Sequence, residues 1–179
     1  MYPLIRFAGQ ILKYRNAPRL GPFDTHVSHH RIWPIDIDPW GELNNGRTLT
    51  LYDLGRIPMA QRTGVVKVMR QNGWGFTVAA SSTRYRRRVK VWERIEMRSR
   101  MLGWDDKFFY MDQSMWRADG ECTSQVLIRS AVVGRGRAGL VPPHRMGEAL
   151  GLSESPPLPD WVRNFVAAED TRTWPPERP

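Results

Sequence analysis

The segment WPIDIDPWGELNNGR, residues 33–47, interrupts the regular hydrophobic pattern of the chain. It sets Asp36 and Asp38 one residue apart, then adds proline, glycine and two asparagines. These residue types favour turns, because proline fixes φ and because Asp and Asn side chains bond nearby backbone N–H groups. The segment therefore predicts a turn that ends at a helix N-terminus, with Asn44 or Asn45 as the capping residue.

Two interpretations of Asp36 and Asp38 remain open at this stage. Asp38 precedes Pro39 and Gly41, so the first interpretation is that the carboxylates only stabilise a turn. In the second, a carboxylate ahead of a helix lies near unbonded N–H groups and the positive end of the helix dipole. The same N–H groups can stabilise a carbonyl oxygen on which negative charge develops. Such an arrangement is sufficient for acyl hydrolysis.

The residues after the turn predict one long helix from about Asn45 to Thr63. Leu49, Tyr52 and Leu54 recur at helical spacing, which is typical of a buried face. We expect a kink near Pro58, because proline in a helix interior removes a backbone hydrogen bond.

Further along the chain the hydrophobic period changes to strict alternation, which is typical of strands. In ERIEMRSRM, residues 93–101, apolar or small side chains alternate with charged ones, and residues 107–116 and 122–133 are rich in strand-forming types. Asp119-Gly120 predicts a hairpin turn between the last two segments. A helix followed by antiparallel strands predicts an α+β domain.

Three regions are predicted: residues 1–24, 25–143 and 144–179. The first reads MYPLIRFAGQILKYR at its start, which lacks the features of a signal peptide. It predicts an amphipathic helix resting on the body of the protein, with contact to an anionic membrane surface as the alternative. The last region predicts a short helix around Gly147–Leu152, followed by an extended or loosely packed proline-rich arm.

The net charge of +9 comes mainly from arginine, since only four of the 27 basic residues are lysines. Arginine binds phosphate and carboxylate groups bidentately, so an anionic partner or a solvated basic surface is expected. Alternation over residues 82–92 predicts a strand that carries Arg84, Arg86 and Arg88 on one face. Arg87 would then lie on the opposite face, with Asp53 or Glu42 as its partner.

Several other kinds of site are disfavoured. The segment GRGRAG, Gly134–Gly139, has the glycine spacing of a dinucleotide fingerprint, but LVPP follows it, whereas the fingerprint requires a helix. It is expected to be a strand-end loop, with phosphate binding through its amides as the alternative. His26, His29 and His30 have no clustered carboxylate or cysteine, so no metal site is predicted. Cys122 is the only cysteine and no apolar run approaches the ~20 residues of a membrane span, so a cytoplasmic protein is expected.

The pattern D-x-D-x-x-G-x-x-N-N, then a helix with an acidic residue and a strand with Arg-Tyr, resembles the hotdog-fold acyl-CoA thioesterases. The similarity covers Val27 to Val141 and is greatest to the 4-hydroxybenzoyl-CoA thioesterase-like branch. It implies an antiparallel sheet of five or six strands wrapped around a long central helix. It also implies a homodimer, or a dimer of dimers, with active sites at the subunit boundary. Glu42 and Thr48 stand where many relatives have histidine and an aromatic residue.

The resemblance implies hydrolysis of an acyl-CoA or related acyl thioester. Asp38 would act as nucleophile or general base, and the helix-start amides at Asn45 would stabilise the oxyanion. No cofactor is expected beyond the CoA of the substrate. The alternatives are a non-catalytic binder of acyl-CoA or lipid and, more remotely, a nucleic-acid binder that uses the arginine strand. The expected substrate-binding residues are Asp36, Gly41, Asn44, Gly46, Asp53, Arg84, Arg86 and Arg88.

Overall fold

The structure is a computed structural model that describes residues 2–134, 136 and 139–178. The helices are α1 (Leu4–Tyr14), α2 (Asn45–Arg62), α3 (Val65–Asn72), α4 (Pro143–Ala149) and α5 (Asp160–Asp170). The strands are β1 (His26–Arg31), β2 (Trp74–Tyr85), β3 (Arg94–Trp104), β4 (Phe109–Arg117), β5 (Cys122–Gly134) and β6 (Leu140–Val141). Among these helices, none is long and apolar enough to cross a membrane.

The six strands form one antiparallel sheet in the order β1-β3-β4-β5-β2, with β6 added to β5. Helix α2 packs against one face of this sheet. Gly55 permits the close approach, because a Cβ atom there would lie 2.5 Å from the Met97 sulfur and 2.7 Å from the Ser99 hydroxyl oxygen. The α+β hotdog architecture expected from the sequence is confirmed.

The alternating pattern of β3 produces this packing. Ile95, Met97, Ser99 and Met101 are all buried, as their alternation with charged residues predicted. The predicted hairpin is also present, since Gly120 has a φ of 82° and its N–H bonds the Arg117 carbonyl oxygen. The alternation of residue types was therefore sufficient to predict the inner face of β3.

Helix α2 begins at Asn45, and Asn44 caps it by accepting a 3.1 Å hydrogen bond from the Arg47 N–H. The helix is continuous to Arg62, with Pro58 inside it and buried. Of the two predicted capping residues, Asn44 has the role.

The predicted arginine strand is wrong at its C-terminal half. Strand β2 ends at Tyr85, because the N–H groups of Arg86 and Arg87 both bond the Thr123 carbonyl oxygen, at 2.8 and 3.1 Å. The chain then turns, and Val89 is buried. Arg84 is thus in the strand, whereas Arg86 and Arg88 lie in the following loop.

The C-terminal region is more ordered than its proline content predicted. Helix α4 begins at Pro143 rather than near Gly147. Helix α5 buries Val162 against Leu102, Tyr110 and Leu127 on the sheet face opposite α2, instead of forming a loose arm. The apolar residues Val162, Phe165 and Val166 explain this docking, since they share one helical face.

Helix α1 rests on the body of the protein, as expected. Phe7 packs against the core around α2, and the Tyr14 ring meets the His26 ring edge-on at 4.6 Å. On β1 the side chains alternate, so His26 and His30 are buried while His29 faces outward. Burial lowers the pKa of His26 to about 4 and that of His30 to about 3.

The loop Gly134–Gly139 is described only at positions 134, 136 and 139. The prediction for its remaining positions, including the two arginines, lies outside the described residues.

Candidate active site

Asp36 is fully buried and holds three segments together. Its Oδ2 atom accepts hydrogen bonds from Arg6 Nη1 of α1 at 2.6 Å and from the Trp33 N–H at 3.0 Å. Its Oδ1 atom accepts one from Arg47 Nη2 of α2 at 2.7 Å. Burial raises the carboxyl pKa, but the bonds from Trp33, Arg47 and Arg6 outweigh it and hold the pKa below its ordinary value. Both oxygens face protein groups, which favours the structural interpretation of Asp36.

Asp38 organises the turn that follows. Its Oδ1 atom accepts hydrogen bonds from the N–H groups of Trp40, at 2.9 Å, and Glu42, at 3.3 Å. Gly41 has a φ of 77°, which suits glycine in such a turn. The carboxylate is half-buried, and across the described part of the chain its Oδ2 atom accepts no hydrogen bond.

The turn places backbone donors at the start of α2. The Asn44 N–H bonds the Asp36 carbonyl oxygen at 2.9 Å, which fixes the cap against the buried carboxylate. Because Asn45 and Gly46 are the first two helical residues, their N–H groups have no partner inside the helix, and both residues are exposed. The Tyr85 hydroxyl donates to the Asn45 carbonyl oxygen at 3.1 Å and so ties the end of β2 to the helix start.

A pocket of about 200 Å³ opens at this helix N-terminus. Its wall includes Asn45 and Thr48 of α2, Arg86 from the loop after β2, and Ser124 of β5. The carboxylate in this wall is Glu42, while Asp38 lies outside the lining of the pocket in a single chain. The pocket therefore combines a helix N-terminus with a basic loop, which is a setting for a negatively charged group.

The arginines near this pocket have different partners from those expected. Arg88 Nε pairs with Glu42 Oε2 at 2.8 Å, and Arg87 Nε bonds Glu121 Oε1 at 3.2 Å. The predicted partnership of Arg87 with Asp53 or Glu42 is thus wrong, because the chain leaves the strand before it. Arg86 lines the pocket, whereas Arg84 lies in a separate groove beside Trp161. The continuous basic strand that nucleic-acid binding required is absent from this described region.

Asp53 lies away from the helix N-terminus, beside a second pocket of about 300 Å³. Its carboxylate pairs with Arg56 and accepts a 3.1 Å hydrogen bond from the Tyr2 hydroxyl. Burial and the Asp53 charge raise the pKa of Tyr2 to about 12. The rest of the wall is mainly apolar and comes from α2, α3 and the sheet, including Ile57 and Phe76. This pocket suits an apolar group.

The two pockets occupy opposite halves of α2 and share no lining residue. They also lie at opposite ends of β2, with Tyr85 at the basic pocket and Phe76 at the apolar pocket. In the described sheet β2 is an edge strand that pairs with β5 alone. On α2 the nearest lining residues of the two pockets are Thr48 and Asp53, which lie about 7.5 Å apart along the helix axis.

Sequence reasoning did not identify Thr48, Thr123 or Ser124 as pocket residues. The resemblance to the hotdog family marks Thr48 only as a position where many relatives have an aromatic side chain, whereas in the structure it lines the basic pocket. The two β5 residues have no local signal, since the sheet alone brings them beside α2.

Comparison with known proteins agrees with this architecture. A family model described as "Thioesterase-like superfamily" matches residues 32–166. Protein THEM6 of Xenopus laevis is 31% identical over 171 residues, covering 93% of this chain and 80% of the frog protein. The probable thioesterase YbaW from Escherichia coli superposes with a TM-score of 0.65 at 16% identity, covering 70% of this chain and 96% of that structure. The protein SAV2348 from Staphylococcus aureus, solved in complex with CoA, gives a TM-score of 0.59 at 7% identity, covering 80% and 95%.

We expect Asp36→Asn to lower the free energy of unfolding at pH 7 by about 3 kcal/mol, because it leaves two guanidinium groups without their shared charge. Urea denaturation checks this. Because folding lowers the pKa of Asp36, its charge stabilises the protein fully above the ordinary carboxyl pKa, and this stabilisation is lost as the pH falls towards the lowered value. The difference in unfolding free energy between the parent and Asp36→Asn should therefore narrow only as the pH falls below about 4.

The matched control is Asp160→Asn, which removes an exposed carboxylate paired with Arg163. It should change stability far less, because solvent screens the pair. Equal effects from the two substitutions would contradict the role assigned to Asp36.

Proposed function

Since the chain belongs to the thioesterase-like superfamily and has the hotdog fold, we propose that it hydrolyses the thioester bond of an acyl-CoA or related acyl thioester. The observation that carries the proposal is the start of α2. There Asn45 and Gly46, two exposed residues whose N–H groups have no partner inside the helix, follow directly on a turn built around the Asp38 carboxylate. An oxyanion donor pair and a carboxylate are the groups that acyl hydrolysis requires.

In the proposed reaction the substrate carbonyl oxygen accepts hydrogen bonds from the Asn45 and Gly46 N–H groups. The helix dipole adds to their effect, because negative charge on that oxygen grows in the transition state. Asp38 is oriented by its Oδ1 bonds to Trp40 and Glu42, which leaves Oδ2 to accept a proton from water. Water then adds to the carbonyl carbon, the C–S bond breaks, and the thiolate leaves and takes up a proton. Attack by Asp38 itself, followed by hydrolysis of the anhydride, is the alternative route.

The basic loop after β2 supports CoA as the carrier of the acyl group. Arg86 lines the pocket at the helix start, and guanidinium groups bind phosphate oxygens bidentately. A structural relative solved in complex with CoA supports the same ligand class. We assign Arg86 to the nucleotide phosphates of the substrate. Arg88 has a smaller role in this proposal, because it is paired with Glu42.

We propose that the acyl group binds with the help of a second copy of the chain, because the basic and apolar pockets of one chain share no lining residue. If two β2 edges pair antiparallel about a two-fold axis, the Tyr85 end of one strand lies beside the Phe76 end of the other. That pairing would place the basic pocket of one subunit next to the apolar pocket of its partner. It would also satisfy the open edge of a 12-residue strand. We therefore propose a homodimer in which each site uses residues of both subunits.

We expect the purified protein to release free thiol from one or more acyl-CoAs in a screen of short, long and aromatic acyl groups. Asp38→Asn should lower kcat by about 10²–10³-fold, because the proton acceptor is lost. Glu42→Gln is the matched control, since it removes the other carboxylate at the same turn. It should leave kcat within about tenfold, as a partly exposed ion pair contributes little.

Activity that survives Asp38→Asn but is lost in Glu42→Gln would transfer the catalytic role to Glu42. Saturable binding of acyl-CoA without thiol release from any acyl group would contradict hydrolysis and favour the non-catalytic binder. Circular dichroism of each variant separates loss of chemistry from loss of fold.

We expect Arg86→Ala to raise KM for acyl-CoA by about tenfold, since a charge-assisted contact to phosphate is lost. KM for the matching pantetheine thioester, which lacks the nucleotide, should not change. Arg84→Ala provides the control, because Arg84 lies outside the pocket. Equal effects of Arg86→Ala on the two substrates would contradict a phosphate contact.

A further inference from the structure

Helix α1 presents an apolar stripe to solvent. Ile5 is 90% exposed, Leu4 67% and Leu12 62%. At 100° per residue these three side chains, together with Ala8, lie on one side of the helix. Single exposed aliphatic residues are ordinary on protein surfaces, but a stripe along a helix indicates a surface that something covers.

The opposite side of α1 is fixed to the protein. Arg6 bonds Asp36 and also the Arg31 carbonyl oxygen, at 2.9 Å. Phe7 packs against the core, and the Tyr14 hydroxyl reaches the Val27 carbonyl oxygen at 3.4 Å. The helix is therefore already folded and oriented, so little conformational entropy remains to be lost when the stripe binds a surface.

The N-terminal segment that contains the stripe is basic. Residues 2–23 contain four basic side chains and no acidic one. Arg6 is used by Asp36, while Lys13, Arg15 and Arg19 are exposed at and beyond the C-terminal end of α1. A protein partner with an apolar groove would not require this charge. An anionic bilayer surface attracts basic residues and takes up aliphatic side chains at the same time.

We propose that α1 docks this protein on an anionic membrane surface. The helix lies in the plane of the interface, with Ile5, Leu4 and Leu12 among the acyl chains and the basic residues among the headgroups. Its 11 residues are far fewer than the ~20 that a span requires. The proposal does not depend on thioester hydrolysis. Tyr2 and Phe7 also line the apolar pocket, so docking would hold that pocket close to the lipid phase.

The test is co-sedimentation of the purified full chain with vesicles of phosphatidylcholine alone or of phosphatidylcholine with phosphatidylglycerol. We expect binding to the anionic vesicles, weak or no binding to the neutral ones, and weaker binding as salt increases. The double variant Ile5→Ser with Leu12→Ser should lower the partition coefficient by about 100-fold, because two aliphatic side chains are lost. Lys13→Gln with Arg15→Gln should lower binding to anionic vesicles by about 30-fold.

The control is Leu140→Ser, which removes an equally exposed aliphatic side chain, 64% exposed, from β6. It should bind as the parent does. Because all these side chains are exposed, each variant should keep the parent circular dichroism spectrum and melting temperature. Absence of binding to anionic vesicles, or binding that the α1 variants leave unchanged, would overturn the proposal. If instead the Ile5/Leu12 variant abolishes self-association in sedimentation velocity without lipid binding by the parent, a second copy covers the stripe.

Discussion

The buried carboxylate of Asp36 is the interaction on which the candidate site depends. It receives a guanidinium from α1 and another from α2, and its own turn supplies a backbone N–H. The backbone carbonyl oxygen of Asp36 accepts a hydrogen bond from the Asn44 N–H. Asp36 therefore fixes both the start of α2 and the position of its capping residue. A carboxylate without these partners would not remain ionised inside a protein. The polar anchor therefore specifies where the helix must begin.

The spacing of the motif follows from this anchor. Asp36 ends a short 3-10 turn and points inward, and Ile37 begins a bridge to Leu43 that closes the next turn. Asp38 is therefore presented at the other side of the chain, where its own turn orients the carboxylate. The sequence left two interpretations of the aspartates open, a structural one and a catalytic one, and each interpretation suits a different aspartate. The bonds of Asp36 favour a structural role for it, whereas the Oδ2 atom of Asp38 accepts no hydrogen bond within the described residues, which is the basis of the catalytic role proposed for Asp38.

Local periodicity and turn chemistry predicted the features that depend on near neighbours: α2 with its cap, the inner face of β3 and the Asp119-Gly120 hairpin. The predicted extent of the arginine strand was wrong because β2 ends at Tyr85. The two N–H groups that follow both bond the carbonyl oxygen of Thr123, a residue far away in sequence. Helix α5 could have been predicted from the helical spacing of Val162, Phe165 and Val166. The prolines around this segment favoured the wrong prediction of a loosely packed arm. The site itself was only half predictable. The motif located its backbone donors, whereas the ion pairs of Arg6 with Asp36 and Arg88 with Glu42 join segments 30 and 46 residues apart, respectively.

The central claim is that a working site combines the helix start of one subunit with the apolar pocket of its partner. Mixing two inactive variants tests it: Asp38→Asn, which disables the helix start, and Ile57→Trp, which fills the apolar pocket. After subunit exchange, half of the dimers are expected to be mixed, and each mixed dimer holds one site with no substitution. The account predicts recovery of about a quarter of the parent activity from two preparations that are each inactive alone. Mixed dimers that form, as shown by a tag on one variant, and yet remain inactive would contradict it.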